Sequence, residues 1–224
     1  MNDRNTQKEA VLEAISQAEK ILIGIGGEWK LKEDGREAGI RSLEDESQSS
    51  VREAYQSLYS LVKDKDYYIV TTLTEGAVYE TDFDHDRVVA PCGNIHWKQC
   101  SKACIKDIWE EGELPSDVCP HCGAPLTENT LEAETYIEEG YLPRWESYKQ
   151  WQAQTLNQRL ILLELGEGFK TPGVIRWPFE KIAFFNQKSI FFRIHKSFGQ
   201  IPKEVEGRAM GIGENSLEFI RGLV

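Results

Sequence analysis

The 224-residue sequence predicts an α/β fold, a parallel sheet covered on both faces with a small four-cysteine module inserted between its halves. Three observations predict it. Short apolar runs rich in β-formers (Ile21 to Ile23, Tyr67 to Thr72, Leu160 to Leu165) alternate with stretches whose apolar residues recur at helical spacing. Two of these runs end in glycine corners, Gly24-Ile25-Gly26-Gly27 and Gly166-Glu167-Gly168, as strands do on entering the phosphate turns of a Rossmann-like sheet. Four of the five cysteines stand in two close pairs within a turn-rich stretch.

The elements follow in order. Ala10, Val11, Ala14, Ile15 and Ala18 form the stripe of a first helix, which leads into the Ile21 to Ile23 strand. Residues 30–50 are polar, charged and without period, and read as a loop. Val51, Ala54, Tyr55, Leu58, Leu61 and Val62 mark an amphipathic helix that ends near the charge run at 63–66. Tyr67 to Thr72 is apolar at its centre, as a buried parallel strand is, and Val88-Val89-Ala90 is a shorter candidate. Cysteines, Gly123, Pro115, Pro120 and Pro125 set residues 97–129 apart as a module, flanked by a discontinuous core of 1–96 and 130–224. Leu142 to Leu156 reads as a helix with Trp145, Tyr148 and Trp151 near one face, and Leu160 to Leu165 as a strand. Pro178 suits the first turn of the next helix. Ser189 to Ile194 is the last expected strand and Ser216 to Leu223 a closing helix.

Composition narrows function. Lys and Arg number 26 against 37 Asp and Glu, a net charge of −11 that opposes binding to a phosphate backbone, so no nucleic-acid partner is expected. No apolar run approaches the ~20 residues of a membrane span. The opening residues MNDRNTQKEAV lack the apolar stretch of a secretory signal, which predicts a cytoplasmic protein. In a reducing compartment thiols suit metal or catalysis better than disulfides.

Cys100 and Cys104, then Cys119 and Cys122, give C-x3-C and C-x2-C knuckles separated by fourteen residues. Both short spacings let two thiolates turn onto one tetrahedral ion, and four thiolates close its shell, so the expected ion is a structural Zn2+. His121, inside the second knuckle, is a spare donor.

With these features in place, the chain resembles the sirtuins, the Sir2-family NAD-consuming deacylases, over nearly its whole length. It most resembles their microbial branch associated with macrodomains and protein ADP-ribosylation. The segments that carry the resemblance are GIGGEW at 24–29, TTLTEG at 71–76, PCGNIHWKQC at 91–100, CPHCG at 119–123, LLELGEGFKTPGVIRWPFE at 162–180 and FFRIH at 191–195. It implies an NAD or ADP-ribose site at the C-terminal edge of the sheet, between core and zinc module. Gly24, Gly26, Thr71, Thr72, Gly166, Gly168, Thr171 and His195 would hold the nucleotide.

The departures bear on activity. Gly27-Glu28-Trp29 follows the first corner where the family has a Ser, and nothing in 30–50 matches its GIP-x-FR loop. Leu73 and Glu75 stand where the family places Asn and Asp. Cys92, followed by Gly93 and eight residues before Cys100, holds the position of the general-base His; His96 is expected to pack beside the knuckle. His195 stands where many sirtuins have an Asn. Loss of polar positioning and of the imidazole base argues against conventional deacetylation. The expectation is a divergent sirtuin-like protein that binds NAD or ADP-ribose, with deacylase or ADP-ribosyltransferase chemistry weak, altered or lost. One alternative is an active NAD-dependent protein ADP-ribosyltransferase or deacylase that uses Glu75 and Cys92. The other is a non-catalytic scaffold for a protein partner, with Glu132, Glu134, Glu138, Glu139 or the Trp145/Trp151 pair as its contact surface.

Overall fold

The computed structural model describes residues 2–31 and 41–224. Strands β1 (Lys20–Ile25), β2 (Asp66–Thr71) and β3 (Val88–Val89) form half of a main sheet. Strands β4 (Gly93–Cys100), β5 (Ile108–Glu110) and β6 (Leu126–Thr130) form a separate antiparallel sheet in the order β5-β4-β6. Strands β7 (Leu160–Leu165), β8 (Ile190–Ile194) and β9 (Ala209–Ile212) complete the main sheet, parallel throughout in the order β3-β2-β1-β7-β8-β9.

Alternation along the strands sorts the core into two layers. Ile21, Ile23 and Ile25 pack with the helices α1 (Asn2–Gln17), α2 (Arg41–Val62) and, near the C-terminus, α5 (Ser216–Arg221). Leu22 packs on the other face with Tyr148 and Trp151 of α3 (Leu142–Ala153) and Phe179 of α4 (Arg176–Phe185). Gly24 lies on that second face, where a Cβ would come within 2.4 Å of Ile175 Cγ2, so its missing side chain admits α4.

The loop expected over 30–50 is corrected in part. Residues 41–50 are helical, the first turns of α2, while 32–40 lie outside the described residues. Polar residues hid this because only the second half of α2 carries an apolar stripe; once Val51, Tyr55 and Leu58 anchor that half, each preceding residue extends the helix with its own hydrogen bond. Strands β5, β6 and β9 also lacked a readable signal, being short and mixed in polarity, and β4, although eight residues long, mixes polar and apolar residues without a clear period. The small sheet begins at Gly93, inside the stretch assigned to the core. Trp151 is buried and Trp145 packs against the same layer, so this pair belongs to the core rather than to an open surface. Among the described residues, no helix is long and apolar enough to cross a membrane.

Candidate functional site

Parallel pairing sets Gly24 beside Glu164 and Ile25 beside Leu165, so the turns leaving β1 and β7 are neighbours at one end of the sheet. Strand order reverses between these two strands, the switch point where open α/β sheets take ligands. A crevice of about 550 Å3 opens there, within the range of small-molecule sites. Its walls come from the segments after β1, β2, β7 and β8 and from Cys92 and Leu131 beside the small sheet. A larger hollow of about 920 Å3 lies at the opposite end of the strands, lined by Glu19, Asn157, Arg159 and Lys188, and none of the expected nucleotide residues reaches it.

Thr72, Gly166, Gly168, Thr171 and His195 border the crevice, as do Cys92 and Glu75. Gly24, Gly26 and Thr71 stand behind its walls. A Cβ on Gly26 would fall 2.4 Å from Glu167 Cα, so this glycine lets the two turns touch. Thr71 is buried; its hydroxyl donates to the Ile25 carbonyl at 3.2 Å and accepts the Leu73 N–H at 3.1 Å. Gly166 has φ +68°, and a Cβ there would press on Glu28 Cβ at 2.5 Å, so only glycine suits this corner.

Glu28 stands where an anion would be repelled, yet its charge is met by its own chain. Oε1 accepts the Lys196 N–H at 2.9 Å, and Oε2 accepts both the N–H and the hydroxyl of Ser216 at 2.7 Å. Trp29 Nε1–H donates to the same Ser216 hydroxyl at 3.0 Å. The Gly-Glu-Trp departure after the first corner is thus a clasp between the β1 turn and α5. His195 Nδ1 accepts the Ser197 and Phe198 N–H groups at 2.9 and 3.1 Å, which fixes the tautomer with its proton on Nε2. Burial holds this imidazole below the ordinary histidine range, against the pull of Glu28.

Two acids and a thiol distinguish the inner wall. Glu167 is 2% exposed and accepts the Thr72 hydroxyl at 2.7 Å through Oε2. Burial pushes its carboxyl up to about 7, against the Thr72 hydrogen bond. Glu75 pairs with Lys30 at 3.5 Å through Oε1, while Oε2 is buried with no hydrogen-bond partner among the described residues. Burial pushes the Cys92 thiol up to about 11, partly offset by a hydrogen bond with Thr171. A thiol so raised is mostly protonated at neutral pH, which opposes a resting thiolate. His96, expected beside the knuckle, is exposed on β4 with Nδ1 3.1 Å from Glu111 Oε2, and it does not border the crevice.

Beneath the crevice lies a buried ionic cluster. Glu164 on β7 accepts Arg193 Nε and Nη2 at 2.7 and 2.9 Å and Arg176 Nη1 at 3.2 Å. Arg193 also reaches Glu180 at 2.7 Å, while Arg176 donates to the carbonyls of Glu167 at 3.1 Å and Phe198 at 2.8 Å. Arg176 thereby ties the turn after β7 to the segment after β8.

In the module, the sulfurs of Cys100, Cys104, Cys119 and Cys122 all lie within 4.8 Å of one another. Cys100 Sγ is 3.5 Å from Cys104 Sγ and 3.6 Å from Cys122 Sγ, and Cys104 Sγ is 3.6 Å from Cys119 Sγ. Tetrahedral thiolate coordination at ~2.3 Å implies sulfur separations of ~3.8 Å, so the four fit one soft ion. Backbone N–H groups of Cys104 and Lys102 lower the Cys100 thiol, while the neighbouring sulfurs raise that of Cys104, as close thiols competing for protons do. His121 lies 3.7 Å from Asp107 and outside this set.

A solved structure on the basis of sirtuin substrate affinity superposes with a TM-score of 0.62 at 10% identity, over 96% of this chain and 97% of that one. The fold is that of the sirtuins. A Sir2 homologue variant solved with ADP-ribose also shares this sirtuin fold, with a TM-score of 0.59 at 11% identity over 96% of this chain and 94% of its own. So does a Sir2 homologue solved with NAD, at 0.59 and 10% over 96% of this chain and 91% of its own. In sequence, the chain is 24% identical to a protein ADP-ribosyltransferase of Staphylococcus aureus (strain Mu50 / ATCC 700699), over 96% of this chain and 86% of that protein. It is also 24% identical to a probable bifunctional ADP-ribose hydrolase/ADP-ribosyltransferase of Fusarium oxysporum f. sp. cubense, over 53% of this chain, which spans 24% of the fungal protein. No family model matches the chain.

Three features of the site escaped the sequence reading: the Glu28 clasp, the Thr72–Glu167 hydrogen bond and the Arg176 bridge. The Glu-Leu-Gly-Glu and Ile-Arg segments carried a signal, since a charge within an otherwise apolar strand calls for a buried partner.

Proposed function

We propose that the crevice binds NAD and that the chain transfers ADP-ribose from it to a protein acceptor, in place of conventional deacetylation. The observation that carries this reading is the convergence of the β1 and β7 turns, Thr72, Thr171, His195 and the unpartnered Glu75 Oε2 on one crevice at the switch point. Gly27 and Gly168 have nothing within 4 Å of where a Cβ would stand, leaving room beside the backbone for a phosphate chain. The donors also suit the ligand. His195 keeps Nε2–H to donate, and Glu75 Oε2 lacks a donor of the kind a ribose hydroxyl or carboxamide provides. The names of the curated relatives and the nucleotide complexes of the structural neighbours support the same ligand class.

NAD supplies a glycosidic carbon with nicotinamide as leaving group, and transfer forms a bond from that carbon to an acceptor nucleophile, which gives up its proton. Within this chain Glu75 is assigned to hold ribose or receive that proton, with Lys30 setting its position. Cys92 is assigned as a neutral lining thiol. Structural Zn2+ on Cys100, Cys104, Cys119 and Cys122 would fasten the small sheet that carries Cys92 toward the crevice. Reduced thiols of this kind suit a cytoplasmic setting.

Calorimetric titration of zinc-loaded protein with NAD and ADP-ribose tests binding, and chromatography of released nicotinamide tests turnover. Saturable binding of both nucleotides, with turnover lost in Glu75→Ala and kept in Cys92→Ser, supports the assignment. Binding of neither nucleotide leaves the zinc-stabilised scaffold as the reading.

A further inference from the structure

Glu167 and Thr72 meet inside the crevice, and among the described residues neither side chain is in a salt bridge. A carboxylate accepts hydrogen bonds and donates none, whereas a threonine hydroxyl has one proton to give. At 2.7 Å, that single proton decides what the crevice meets. With Glu167 ionised, the Thr72 hydroxyl donates to it and presents lone pairs to a ligand. With Glu167 protonated, the acid donates to Thr72, and the threonine proton is freed toward the ligand.

We propose that Thr72 and Glu167 form a proton-dependent hydrogen-bond switch, Glu167 being a positioning residue that sets whether Thr72 accepts from or donates to the bound nucleotide. The inference rests on the nucleotide reading above. Ionised Glu167 selects a hydroxyl or amide N–H of the ligand; protonated Glu167 selects an oxygen acceptor there.

The surroundings hold the pair in place. Glu167 Oε2 lies 2.3 Å from where a Gly26 Cβ would stand, so the carboxyl rests against a bare glycine, and Arg176 grips the Glu167 carbonyl at 3.1 Å. The charged and titratable groups that act on the carboxyl come from each side. Glu164 on β7 raises it and Arg176 on α4 lowers it. Glu167 in turn raises the Cys92 thiol, which Lys170 on the turn after β7 lowers. Burial dominates these influences and brings the carboxyl to about 7, so both hydrogen-bond states are populated near neutral pH.

Carbon-13 NMR of protein labelled at its glutamate carboxyls provides the first readout. One carboxyl with a midpoint near 7, absent from Glu167→Gln and shifted upward in Thr72→Val, is expected. The second is NAD affinity by calorimetry at pH 6 and pH 8.5. The wild type and Thr72→Ser should differ roughly fivefold between the two pH values, the worth of one hydrogen bond, and Thr72→Val and Glu167→Gln should be flat by comparison. Absence of any glutamate titrating between pH 6 and 8, or a pH dependence of affinity that persists in Thr72→Val, overturns the switch. A titrating Glu167 in a protein that binds neither NAD nor ADP-ribose refutes the nucleotide reading instead, and with it the ligand assigned to the switch.

Discussion

Replacing Glu164 by glutamine tests the ionic cluster that fixes the floor of the crevice. The Glu164 side chain is 0% exposed, that of Arg193 1% and that of Arg176 4%. With Glu180, two carboxylates balance two guanidiniums. Glutamine keeps the shape but turns one acceptor oxygen into a donor amide facing guanidinium N–H groups, and it leaves a buried positive charge unbalanced. Breaking a buried pair by removing one partner costs about 3–5 kcal/mol. For a chain of this length each kcal/mol moves Tm by about 2–4 °C, so a fall of roughly 6–20 °C is expected. Urea unfolding at fixed zinc concentration gives the free energy and calorimetry the midpoint. The double variant Glu164→Gln, Arg193→Met should recover part of the loss, because it leaves Arg176 and Glu180 balanced. A loss below about 1 kcal/mol for the single variant, or simple additivity in the double, would refute the reasoning.

Gly26→Ala should lower stability by about 1–3 kcal/mol and abolish nucleotide binding, since its Cβ would meet Glu167 Oε2 at 2.3 Å and Cα at 2.4 Å; Gly27→Ala, with no atom of the described residues within 4 Å of its Cβ, is the neutral control for the denaturation series alone, because Gly27 lines the crevice. Glu167 also predicts a pH dependence of stability. Its folded value of about 7 lies above its ordinary 4.5, so between these values the native state holds the proton more tightly than the unfolded chain. Its contribution to stability therefore rises as pH falls from about 8 to 5, by on the order of 3 kcal/mol, and the slope should change by that amount in Glu167→Gln when urea midpoints are compared across that range, with Glu164, also raised by burial, keeping its own share. Cys119→Ser should take the metal content well below one zinc per chain by mass spectrometry under native conditions and open residues 97–129 to proteolysis; full zinc retention would refute the ligand set.

How much of this was legible in the sequence varies with the distance over which each feature is decided. Strand β7 could be read from Leu160 to Leu165 alone, because a continuous apolar run of strand length has few other stable fates. The four-thiol cluster was legible because each knuckle is local and only the meeting of two knuckles is not. The early turns of α2 were not, since their helicity is inherited from packing further along the helix. Among the nucleotide candidates, Thr72 and Thr71 are adjacent and chemically alike, yet the strand pleat sends one hydroxyl to the crevice and the other to a backbone carbonyl.

The sequence by itself therefore determined the α/β architecture, the glycine corners and the four-thiol module, all of which follow from periodicity or spacing over a few residues. Tertiary structure alone decided what the polar side chains do. Glu28 meets Ser216 across 188 positions and Thr72 meets Glu167 across 95; the first contact makes a carboxylate into a clasp, and the burial around the second raises the Glu167 carboxyl. The physical reason is that a hydrogen bond or a desolvated charge depends on which atoms lie within about 3 Å. Chain folding brings those atoms together from segments whose local patterns carry no record of one another.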